Sequence, residues 1–77
     1  MKNILSGMVK IYGSEPHTWV GIETVPEGKI YAVDSTEKAK ELRALQGRLI
    51  DFTVIIQETT RPGLAGTAAV LSWNIIR

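Results

Sequence analysis

Between Leu5 and Tyr12 the side chains alternate: Leu5, Gly7, Val9 and Ile11 fall on one parity, and Ser6, Met8, Lys10 and Tyr12 on the other. A period of two marks a strand with one face on a core, so this run predicts a first strand. Gly7 inside it predicts a bulge or a close backbone approach, either of which lets one long strand bend between two halves of a curled sheet. Gly13 to Thr18 carries Gly13, Ser14 and Pro16 as breakers and reads as a loop. Alternation resumes over Trp19 to Thr24, with Val20 and Ile22 on one face. Pro26-Glu27-Gly28 then predicts a hairpin to a third run, Lys29 to Val33, in which Tyr31 and Val33 are expected to point inward.

The period then changes. Asp34-Ser35-Thr36-Glu37 reads as a capping box, Ser35 to Gln46 is rich in helix formers, and Gly47 stands where a left-handed stop is wanted. Ala39, Leu42 and Leu45 make one narrow apolar stripe, so this helix is expected to cap a core built elsewhere. Ile50, Phe52, Val54 and Ile56 alternate with Asp51, Thr53, Ile55 and Gln57 in the strongest strand pattern of the chain. Glu58 to Thr67 follows as a loop of a length at which functional loops become common. Ala68 to Arg77 closes the pattern as a fifth strand, with Leu71, Trp73 and Ile75 expected on the inner face.

On the opposite parity, Ile30, Ile55, Val70 and Ile76 leave more outward apolar surface than a lone domain of this size needs. Either an assembly interface covers them, or a bulge reverses the faces locally.

Composition narrows the class without naming a function. The 77 residues make one domain, 1–77, with 44% hydrophobic and 22% charged residues, close to the globular average. Nine Lys and Arg against eight Asp and Glu leave a net charge of +1, far from the basic balance of proteins that live on phosphate backbones. With no cysteine, there is neither a disulfide framework nor a thiolate metal site. The opening Met1-Lys2-Asn3-Ile4-Leu5-Ser6-Gly7 is too weakly apolar for a signal peptide, and no run approaches a membrane span, so a cytoplasmic location is expected.

An order of three strands, one helix and two strands in this length resembles the OB-fold, an all-β five-stranded Greek-key barrel with a helix between strands three and four. The residues carrying the resemblance are Leu5-Ser6-Gly7-Met8-Val9, the hairpin from Val20-Gly21-Ile22-Glu23 to Gly28-Lys29-Ile30-Tyr31, and Leu42 through Leu45-Gln46-Gly47-Arg48-Leu49-Ile50. The nearest description is a small single-domain bacterial OB-like protein that matches no characterised family. It departs from cold-shock domains in lacking their closely spaced aromatic motifs, and from ribosomal and initiation-factor OB domains in lacking their basic character.

The resemblance implies a ligand face across strands two and three, rimmed by the first-second and fourth-fifth loops. On this chain it would present Tyr12, His17, Trp19, Lys29 and Arg61, with Lys10 alongside. Aromatic rings stack on unpaired bases and Lys or Arg tracks phosphates, so single-stranded DNA or RNA is the expected ligand class. Glu15, Glu23 and Glu27 oppose the cations there. For Trp19 the stronger structural expectation is a ring folded over the open end of a thin core, and for Trp73 a place in the core itself.

His17 and Glu15 lack further ligands for a metal site. Gly63-Leu64-Ala65-Gly66 has the letters of a KH-domain loop but joins strands where that loop joins helices. No nucleophile, phosphate-loop or dinucleotide motif is present. The expected function is therefore a non-enzymatic binding module without cofactor, with a protein-interaction or self-assembly module as the alternative.

Overall fold

The computed structural model describes residues 2–77. It contains β1 (Lys2–Ser14), β2 (His17–Thr24), β3 (Ile30–Val33), α1 (Thr36–Arg43), β4 (Leu49–Gln57) and β5 (Gly66–Ile75), in the order the sequence predicts. The sheet is mixed: β3 and β5 run parallel, and every other pair is antiparallel. Its strand order is β1-β2-β3-β5-β4, and β4 pairs back onto β1, so the sheet closes on itself.

Closure depends on β1 serving two partners. Its first part pairs with β4, from Lys2↔Ile55 to Met8↔Leu49, and its second with β2, from Gly7↔Thr24 to Ser14↔His17. The change of partner falls at Gly7, where an added Cβ would run into the Glu23 carbonyl group and lie 3.0 Å from the Thr24 Cα. Of the two expectations for Gly7, the close backbone approach is the one realised.

The expected loop over Gly13 to Thr18 shrinks to Glu15-Pro16, because pairing continues through Gly13↔Thr18 to Ser14↔His17. Gly13 has φ +88, a conformation side chains disfavour, and its missing Cβ leaves room for the His17 carbonyl. The breakers therefore tighten the hairpin instead of opening it.

Val9, Val20, Ile22, Tyr31, Ile50, Phe52, Val54, Ala68 and Val70 fill the interior, and Leu42 of α1 joins them with no exposed surface. Ala39 and Leu45 pack beside Leu42, so the predicted stripe is the buried one. The inward setting of Tyr31 and Val33 is also found, with Val33 partly buried against the core. The helix begins one residue later than the capping box implies. Ser35 is the N-cap, its Oγ accepting the Lys38 backbone N–H at 3.3 Å. With Lys38 at the third helical position, no acidic side chain can return the bond. The helix ends at Arg43, and Gly47, at φ +83, terminates a looser turn beyond it.

The face assignment of β5 needs correction. Register shifts between Thr53↔Ser72 and Val54↔Val70, leaving Leu71 as an extra residue. Val70, expected outside, is buried, and Leu71, expected inside, is 42% exposed. Trp73, beyond the shift, is half-buried against the core as its parity predicts, with the Lys38 ammonium 5.3 Å from its ring centroid. One inserted residue reverses the faces on one side of itself and leaves the other side alone. Ile75, although on the inner parity, is 41% exposed at the strand end. No helix among the described residues is long and apolar enough to cross a membrane.

Candidate functional site

Val20 and Ile22 point into the core, so their neighbours on β2, Trp19, Gly21 and Glu23, share the outer face. Trp19 therefore does not fold over the open end of the core as expected. It stands half-buried on the outside of the sheet, directly opposite Tyr12 of β1. The two rings stack with centroids 4.7 Å apart and planes 23° from parallel.

Gly21 makes this pair possible. A Cβ there would lie 2.7 Å from Tyr12 and 3.0 Å from Trp19, so both rings lean across the space a side chain would occupy. Gly21 and its β3 partner Ala32 are both buried and form a floor of small residues. The site's dependence on Gly21 was not read from the sequence, although a glycine in the middle of an alternating strand is the signal for such an approach.

The loop between β4 and β5 returns to this face. Its Ala65 N–H donates to the Ile30 carbonyl at 2.8 Å, and the Arg61 guanidinium lies 4.9 Å from the Trp19 ring centroid. That is within range for a cation–π interaction. Tyr12, Trp19 and Arg61, expected together, are thus brought together.

Lys10 belongs to the same face, but its charge is spent locally. Its Nζ donates to Glu23 Oε1 at 2.6 Å, the one ion pair among the described residues. His17 shares the parity of Trp19 but is exposed at the hairpin tip, with no side-chain hydrogen bond among the described residues. Lys29 is separate: it lies at the β2–β3 turn, where its N–H donates to Thr24 Oγ1 at 3.0 Å, and lines a concavity with Leu5, Glu27 and Tyr31. It is not part of the aromatic cluster. No group of three or more His, Cys, Asp or Glu among the described residues could hold a metal ion.

The protonation of this face follows its contacts. The hydrogen bond and charge of Glu23 raise the Lys10 pKa above its ordinary value. Burial raises the Tyr12 phenol, with Glu23 adding to it, and the Tyr12 hydroxyl has no hydrogen-bond partner among the described residues. Both groups hold their protons more tightly folded than unfolded, so their stabilising effect is intact below about pH 10 and is lost as pH rises through the raised values. A urea series is expected to show the midpoint falling above that pH. An equal fall in a Lys10→Gln/Tyr12→Phe chain would remove these groups as the cause.

The arrangement gathers two stacked rings, a cation over one of them and a neutralised ion pair at their edge on one outer face. Compared with known proteins, the chain matches no family model, no curated protein and no solved structure.

Proposed function

We propose that this chain is an OB-fold binding module that takes single-stranded nucleic acid on the outer face of β1 and β2. In support of the fold, the closed strand order and the helix between the third and fourth strands accord with a Greek-key barrel of that class. The observation that carries the ligand class is the Tyr12–Trp19 stack with Arg61 above it, on β1 and β2 and not across β2 and β3, but still beside the β4–β5 loop that rims the ligand face of such barrels. An unpaired base stacks on an aromatic ring for about 1–3 kcal/mol, and arginine contributes from its planar cation. Lys10 adds little attraction for phosphate while Glu23 neutralises it.

Titration with ten-nucleotide oligothymidylate and oligouridylate at low salt tests the reading through tryptophan fluorescence, with Trp73→Phe isolating the Trp19 signal. Quenching is expected, and Trp19→Ala should weaken binding by about 5- to 150-fold, the equivalent of one stack removed. No quenching and no binding by either oligomer overturns the proposal.

A second reading, docking of a protein partner or a second copy, draws on Ile4, which is 70% exposed on the other part of β1. Sedimentation of the same samples separates the two. Mass that rises with protein concentration, without oligonucleotide binding, favours assembly.

A further inference from the structure

Trp19 also borders a groove of about 330 Å³ between the start of β2, the end of β3 and α1. Thr18 and Trp19 line it from β2, and Lys40 and Arg43 line it from the helix, where a spacing of three places them on one face. Arg43 is already oriented: its Nη2 donates to Thr18 Oγ1 at 2.9 Å. Neither cation has an ion-pair partner among the described residues, whose single salt bridge is Lys10–Glu23. Asp34 supplies the one carboxylate of the wall, so two positive charges face one negative.

We propose that this groove is a phosphate subsite for a single strand whose base stacks at Trp19, a proposal that rests on the nucleic-acid reading above. Trp19 is common to both places, with Arg61 over its ring and the Arg43–Lys40 groove beside it. A nucleotide stacked there has a phosphate on each side of its sugar. Its base takes the place of Arg61 over the ring, so that one phosphate meets the displaced guanidinium and the other enters the groove. The fork of the Arg43 guanidinium suits phosphate oxygens, and Lys40 adds a second charge without demanding a fixed angle. The strand therefore crosses the outer face toward the helix. That direction sets how many of its phosphates respond to salt.

The test is the salt dependence of oligothymidylate binding by the full chain and by an Arg43→Gln/Lys40→Gln variant. Both positions are exposed and glutamine keeps helix propensity, and circular dichroism with thermal melting confirms that the variant folds. The slope of log affinity against log salt is expected to become shallower by about 0.7 for each phosphate the variant no longer neutralises, while quenching of Trp19 at saturation persists. Unchanged slope and affinity in the variant, with the unaltered chain still binding, overturn the groove subsite alone. Failure of the unaltered chain to bind at low salt overturns this proposal together with the function it rests on.

Discussion

Replacing Gly7 by valine is expected to destabilise the chain by about 3 kcal/mol or more, at the upper end of what overpacking costs. The Cβ at this position meets backbone, the Glu23 carbonyl group and the Thr24 Cα, so rotating a side chain cannot relieve the clash. β1 and β2 would have to separate where β1 passes from β4 to β2. Because Glu23 also holds Lys10, the displacement would reach the outer face that carries Tyr12 and Trp19. Urea denaturation measures the loss, and a valine chain within about 0.5 kcal/mol of the original, the range of an ordinary surface change, would refute the close-approach account.

Phe52→Ala is expected to cost about 3–5 kcal/mol, the range for removing a buried aromatic. Phe52 has no exposed surface and is flanked across β4 by Leu5 and Trp73, so its removal empties space that three strands share. A domain of this length has a total stability of about 4–12 kcal/mol. The variant should therefore melt far below the original chain or be substantially unfolded at room temperature. Calorimetry or denaturant titration decides, and a loss under about 1 kcal/mol would mean that the neighbours collapse into the cavity or that Phe52 is not the centre of the core.

Most of the architecture was legible because strands carry their periodicity in plain view. Val20 with Ile22, and Phe52 with Val54, announce which face is buried, and the buried residues agree. The fifth strand was misread over Val70 and Leu71 because a bulge adds one residue without leaving a compositional mark. The cap was displaced by one position because Asp34 and Ser35 are both competent N-caps, and the choice depends on how the chain leaves β3.

The candidate site was legible in its residue types and less so in its geometry. The alternation of Val20 and Ile22 already implied that Trp19 faces outward, but the energetic pull of a large aromatic toward a thin core argued the other way. Placing Arg61 over that ring required the path of a long loop, which no local pattern specifies. Lys29 was expected beside Trp19 because the resemblance implies a face across strands two and three, yet the length of β2 separates the turn that holds it from Trp19. Arg43 was overlooked because a charged residue on an exposed helix face looks like ordinary solvation until Thr18 is seen to hold it.

The partner change at Gly7 also governs when the molecule can be completed. Lys2 to Met8 pair with Leu49 to Ile55, so the beginning of the chain has no sheet neighbour on that side until the fourth strand exists. The hairpin of β1 and β2 can form early from nearby residues, but closing the ring must wait for segments brought together from distant parts of the chain, the type of pairing that slows folding most. During synthesis, therefore, the face bearing Tyr12 and Trp19 can take shape while the sheet is still open, and the last strands to pair are those that hold it shut.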